Sequence, residues 1–130
     1  MATSTYCINK EKNMSLSEFY SSLGESLDEV LDRLRMESRI MKYLRLFLED
    51  PSFNELKEAF ESKDAKTAFR AAHTLKGVAA NLGLNKLSNT SSDLTEDLRP
   101  GVFTDKSQAL LEKVEADYIA AVEGIKQLEQ

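Results

Sequence analysis

The chain has few of the residues that turn a backbone, with only two Pro and five Gly among 130 residues. A many-stranded fold needs such residues at nearly every strand end, so their scarcity favours helices. The apolar fraction of 42% is that of a globular chain. The length corresponds to one ordinary domain. The composition therefore predicts a single helical domain.

Cysteine and histidine occur once each, as Cys7 and His73. A single cysteine forms no internal disulfide, and Cys7 has no partner ligands for a metal in its polar segment. A reducing cytoplasm is therefore the expected compartment. One histidine also excludes a His-pair metal site and Ser/His/Asp machinery built around a second imidazole. We predict no metal and no cofactor.

Basic excess and long apolar runs are both missing. The chain has 17 Lys and Arg against 22 Asp and Glu, a net charge of -5. Nucleic acids and anionic membranes attract a positive surplus, so neither is an expected partner. No stretch reaches the roughly 18 apolar residues of a membrane span, which predicts no membrane insertion. The polar segment 1–13 lacks the apolar block of a secretory signal and is predicted to be a disordered lead to a domain at 14–130.

Apolar residues recur at steps of three and four from residue 16 onwards, the spacing of amphipathic helices. Gly24 and Ser26 separate two short helices. Asp50 and Pro51 then supply a cap and a first-turn proline for a new helix, unless the helices on either side form one long helix kinked at Pro51.

The most regular helical pattern covers residues 65–82, between an N-cap at Asp64 and a stop at Gly83. A following helix ends at residues 100–101, and the last extends from about residue 105 to 129. Short connectors between long amphipathic helices make neighbours antiparallel. We therefore predict an all-α fold, an antiparallel up-and-down four-helix bundle with a short N-terminal helical extension.

The helix at 65–82 has a core face and a polar face. At about 100° per residue, its apolar stripe comprises Ala68, Ala72, Leu75, Ala79 and Leu82. His73 lies roughly 140° from the centre of that stripe, so its side chain is predicted to point outward or into a side groove.

Three neighbours distinguish His73 from an ordinary solvated histidine. Gly77, one turn later and opposite the core stripe, costs about 1 kcal/mol relative to Ala and is predicted to provide clearance for an incoming surface. Arg70 and Lys76, three residues to either side, form a local cationic patch that suits a phosphoryl group. Taken singly, the two cations also fit a solvated charged face, and Gly77 also fits close helix packing.

The next helix brings Thr95 to the level of His73, when residues are counted from the turn at about 1.5 Å per residue. Its hydroxyl is predicted to bond one ring nitrogen and so determine which nitrogen is free. The alternative is that Thr95 belongs to a solvent-facing polar stripe with no role at His73. That stripe also contains Ser88, Ser92 and Arg99.

Residues 73–83 resemble the phosphoacceptor helix of histidine-containing phosphotransfer (HPt) domains. That helix has a His, a Lys three residues later, a Gly after the Lys and a Leu-Gly pair near its end, matched here by His73, Lys76, Gly77, Leu82 and Gly83. Flanking apolar positions extend the resemblance over about 27–128. In many relatives a Gln on the next helix orients the imidazole, whereas this chain has Thr95 at that height.

The resemblance implies a four-helix bundle in a two-component phosphorelay. Its exposed His73 would accept a phosphoryl group from a receiver-domain aspartate and pass it on. The implied partners are response-regulator receiver domains, with a hybrid histidine kinase as a second candidate.

The sequence has no Gly-rich phosphate loop and no separated acid cluster for nucleotide and Mg²⁺. We therefore predict a monomeric cytoplasmic phosphoryl carrier rather than a complete enzyme. Two alternatives stay open. One is a helical protein-interaction adaptor of the same fold whose His73 is never phosphorylated. The other is a hydrolase with His73 as general base, although that face offers no acid or nucleophile companion.

Overall fold

A computed structural model describes residues 14–128, which form seven α-helices and no β-strand. The helices are α1 (Leu16–Ser22), α2 (Leu27–Leu34), α3 (Glu37–Phe47), α4 (Ser52–Glu61), α5 (Ala65–Asn81), α6 (Asn85–Leu98) and α7 (Ser107–Lys126). The predicted all-α class is confirmed. The predicted disordered lead, together with Cys7, lies outside the described residues. Within the described part of the chain, no helix combines the length and apolar character that a membrane span requires.

Helices α4, α5, α6 and α7 form the bundle. α5 packs against both α4 and α6, and α6 packs against α7. α7 closes on α4 through the stacked rings of Phe53 and Tyr118, whose centroids are 4.1 Å apart. An ion pair between Lys57 and Glu115, at 3.0 Å, joins the same two helices. α5 thus has a bundle neighbour on each of two sides, and its remaining face points outward.

The structure separates α3 from α4, so the alternative of one long kinked helix is wrong. α3 ends at Phe47, and Pro51 occupies the N-cap position of α4 without a side-chain cap of its own. The Asp50 carboxylate accepts a hydrogen bond from the Ser52 backbone N–H at 2.8 Å. Asp50 therefore caps α4 as predicted, from one position further out.

The last helix begins at Ser107, two residues later than predicted. The Thr104 hydroxyl accepts a hydrogen bond from the Lys106 backbone N–H at 3.1 Å and donates one to Asp97 at 2.7 Å. These bonds hold the preceding residues in a turn, because a side-chain partner competes with helical pairing for the same backbone groups.

Both predicted ends of α5 are confirmed. The Asp64 carboxylate accepts hydrogen bonds from the Thr67 backbone N–H at 3.1 Å and from the Thr67 hydroxyl at 2.7 Å. The bonds from Thr67 lower the pKa of Asp64. At the other end, Gly83 has φ +73°, which L side chains rarely adopt. These two residues fix where the histidine-bearing helix starts and stops.

The N-terminal extension packs on the bundle end where α5 turns into α6. The fully buried Tyr20 donates its hydroxyl to the Leu82 carbonyl at 2.7 Å. Arg33 of α2 donates to the Ala80 carbonyl at 2.9 Å. The last carbonyls of a helix have no partner within it, so both bonds satisfy groups that would otherwise be open. The extension therefore stabilises the C-terminal end of α5.

Candidate functional site

The inner and outer faces of α5 are the ones that its periodicity predicts. All five residues of the predicted core stripe are buried, at 0 to 2% exposure. His73 is exposed on the opposite side of the helix. No hydrogen bond to its imidazole forms within residues 14–128, so neither ring nitrogen is occupied by that part of the protein.

Gly77 lies in open space one turn after His73. A Cβ atom built at this position meets no other atom within 4 Å. Close helix packing therefore does not explain the glycine. No side chain projects from the helix surface at this position beside His73. Its use as clearance for a docking partner remains a prediction.

A stack of side chains covers the side of His73 that faces α6. The Phe69 and His73 rings are nearly parallel, with 9° between their planes and 6.1 Å between their centroids. The Arg99 guanidinium carbon lies 5.3 Å from the Phe69 ring centroid. Arg99 is in turn held by Glu96 through two hydrogen bonds, at 3.1 Å from Nε to Oε1 and 2.7 Å from Nη2 to Oε2.

Glu96 brings a negative charge to a site that the sequence predicts to be cationic. Its pKa is lowered mainly by the hydrogen bond from Arg99, and the charges of Arg99 and Lys76 lower it further. The carboxylate is therefore ionised at neutral pH and lies close enough to Lys76 for their charges to interact.

The two predicted cations lie on different sides of His73. Lys76 is half-buried and interacts with Glu96 on the α6 side. Arg70 lines the groove between α4 and α5 together with Glu55 and Glu58. Its guanidinium donates to the Thr67 hydroxyl at 3.3 Å. The two cations thus flank the histidine, each with acidic neighbours, rather than forming one patch.

The predicted hydrogen bond from Thr95 to His73 is not formed. Thr95 is fully buried, and its hydroxyl donates to the Ser91 carbonyl at 2.7 Å. Counting residues from the turn gives a height along α6 but no rotation about its axis. Thr95 shares the core face of α6 with Leu94 and Leu98, while the next residue, Glu96, points outward at the same level.

Sequence reasoning missed two residues of this site, Phe69 and Glu96. Phe69 precedes His73 by four residues and therefore lies on the same face, a relation that the sequence contains. Glu96 follows Thr95 directly, and its pairing with Arg99 has the three-residue spacing of helix ion pairs. Either signal was available, although neither spacing specifies a ring stack.

The fold and the site together define a class of protein: a helical bundle that presents one histidine on the outward face of one of its helices, beside an unpacked glycine. Residues 16–129 match the family model of the Hpt domain, and the chain belongs to that family. The match begins at the first residue of α1, so it includes α1, which the resemblance over 27–128 left out. Comparisons with curated proteins and with solved structures found no match.

Family membership establishes the general role. Hpt domains are phosphocarrier modules, and the chain has a phosphotransfer role in two-component phosphorelays, where it interacts with receiver or kinase components.

Proposed function

We propose that His73 accepts a phosphoryl group from the phosphorylated aspartate of a receiver domain and passes it to another receiver. The observation that carries the proposal is the exposure of the single histidine beside open space at Gly77. A Cβ atom at Gly77 would meet nothing within 4 Å, so this side of the ring has room for an incoming loop that bears a phosphoaspartate.

The transfer exchanges one bond for another. A lone pair on one imidazole nitrogen attacks phosphorus, the P–O bond to the aspartate breaks, and the carboxylate leaves with the bonding electrons. The ring then carries the phosphoryl group on one nitrogen and its proton on the other. The reverse steps deliver the group to the next aspartate. Phosphoryl transfer depends on positioning and on charge neutralisation, and in this proposal the receiver supplies the metal ion.

Lys76 and Arg70 support this step from opposite sides of His73. Each cation attracts the dianionic phosphoryl group, and Glu96 partly offsets the contribution of Lys76. Exposed ion pairs are weak because water screens them. The phosphorylated form is therefore favoured only modestly, as a carrier that both accepts and donates requires.

A groove of mixed polar and apolar lining, which includes Asp50 and Asn81, supports docking on the same side as Gly77. Val78 of α5 lines a groove with Tyr43 and Leu46 of α3. Leu46 is 51% exposed although it is a large apolar residue. We place the receiver over this groove and Gly77.

The test is phosphoryl transfer from a phosphorylated receiver domain to the wild-type protein and to His73→Gln. We expect acid-labile, alkali-stable label on the wild type and none on the variant, with unchanged helical circular dichroism. Label on a folded His73→Gln protein would contradict the assignment. No label on the wild type with any receiver tested would favour the protein-interaction adaptor.

We further propose that the protein acts as a cytoplasmic monomer that binds no nucleic acid. The net charge of -5 supports the last point. Light scattering should give the mass of one chain, 14.6 kDa, and a dimer mass would contradict the proposal.

A further inference from the structure

The His73 ring needs a device that fixes its orientation, because phosphorus is attacked along one line from one nitrogen. No hydrogen bond within residues 14–128 holds the ring, and the Thr95 hydroxyl is engaged elsewhere. Histidine in a helix has two accessible χ1 wells, so an unsupported ring divides its population between them.

Phe69 lies where it can favour one of these two χ1 rotamers of His73. Its ring and the imidazole are parallel to within 9° with centroids 6.1 Å apart, inside the range of offset-stacked aromatic pairs. Phe69 is itself half-buried and packs against the hydrophobic core. The support under the imidazole is therefore anchored to the bundle.

A second contact holds Phe69 from α6. The Arg99 guanidinium lies 5.3 Å from the Phe69 centroid, within reach of a cation–π contact. The two hydrogen bonds from Arg99 to Glu96 fix the plane of the guanidinium. The order of contacts is thus Glu96, Arg99, Phe69 and His73, from α6 to the reacting ring.

We propose that Phe69, held by the Glu96–Arg99 pair, is a positioning residue that fixes the orientation of the His73 imidazole for phosphoryl transfer. This inference rests on the proposed function. A stacking contact uses the face of the ring, so it leaves both nitrogens free: one for phosphorus and one for the proton.

The first variant is Phe69→Leu, which keeps an apolar side chain and removes the ring. Phe69→Tyr keeps the ring and serves as the conservative replacement. Phe60→Leu is the matched control. Phe60 lies on α4 and is also half-buried, and its ring centroid is 4.8 Å from that of Phe103. It removes a comparable aromatic pair away from His73.

Two readouts apply to each variant. The first is the pair of three-bond Hα–Hβ NMR couplings of His73, the one histidine of the sequence, because these couplings report its χ1 populations. The second is single-turnover transfer from a phosphorylated receiver, which separates the rate constant at saturation from the receiver concentration at half-saturation.

We expect Phe69→Leu to move the His73 couplings from those of one χ1 rotamer toward averaged values and to lower the saturating rate constant by about twofold, the effect of dividing one rotamer population between two accessible wells. The receiver concentration at half-saturation should not change. Phe69→Tyr should restore the rate, and Phe60→Leu should leave both readouts at wild-type values.

Wild-type His73 couplings in Phe69→Leu would overturn the inference, as would a rate no lower than that of Phe60→Leu. The NMR readout needs no phosphoryl donor. If wild-type protein accepts no label, the proposed function fails, and the couplings still decide whether Phe69 fixes the χ1 rotamer of His73.

Discussion

The two glycines inside helices should respond in opposite ways to alanine. Gly77 lies in α5 and Gly124 in α7, and both have helical backbone conformations. A Cβ atom at Gly77 meets nothing within 4 Å, whereas one at Gly124 falls 2.7 Å from Cε1 of Phe19. The two sites share the same gain in helix propensity and differ in the space around the new methyl group.

The magnitudes follow from that difference. Replacing a mid-helix glycine by alanine gains up to about 1 kcal/mol of helix stability, so Gly77→Ala should stabilise the protein by roughly 0.5–1 kcal/mol. Phe19 is fully buried, and forcing a ring aside in a packed core costs about 1–3 kcal/mol. Gly124→Ala should therefore have a net cost of about 1 kcal/mol once the propensity gain is subtracted.

Urea unfolding followed by circular dichroism measures both variants under one protocol. We expect the midpoint of Gly77→Ala to rise and that of Gly124→Ala to fall, with the same dependence on urea. A loss of stability in Gly77→Ala would show that Gly77 packs against the bundle. A larger side chain separates folding from docking: Gly77→Leu should stay folded yet receive phosphoryl groups slowly, because it fills the clearance beside His73.

Two further predictions concern charge and the core. Lys76→Ala should slow transfer without abolishing it, because a screened cation contributes only part of the charge neutralisation. Raising the salt concentration should narrow the difference in transfer rate between Lys76→Ala and wild type. Identical rates for the two proteins at low salt would show that Lys76 has no part in transfer. The Ser91 hydroxyl is buried and has no hydrogen-bond partner within the described residues. Ser91→Ala should therefore raise the free energy of unfolding in urea by about 1 kcal/mol, and a decrease would show that the hydroxyl is bonded.

The fold was largely predictable because its determinants are local. Caps such as Asp64 and stops such as Gly83 act within a few residues of themselves, and apolar periodicity sets which face of a helix is buried. The separation of α3 from α4 was harder to predict. A proline permits either a kink in one helix or the start of a new helix. Which of the two forms depends on whether the neighbouring helices pack better against two short helices than against one long helix.

The site was predictable on α5 and not across to α6. His73 and Gly77 face outward because they lie opposite a stripe that must be buried, which is a property of one helix. Thr95 was misplaced because its contact with His73 also depends on the rotation of α6 about its axis. The Leu94 and Leu98 side chains turn that face inward, so the residue exposed at this level is Glu96.

The two sides of His73 suit different needs of a phosphoryl carrier. On the α6 side, Phe69 and the Glu96–Arg99 pair occupy the surface; on the other, Gly77 leaves it open. Under the proposed function the nucleophile must be held and yet accessible, and a contact on one flank achieves both. The Glu96 carboxylate disfavours a dianionic phosphoryl group while Lys76 favours it. In the proposed function, these opposing charges limit the stability of the phosphorylated state, as a carrier that also donates the group requires.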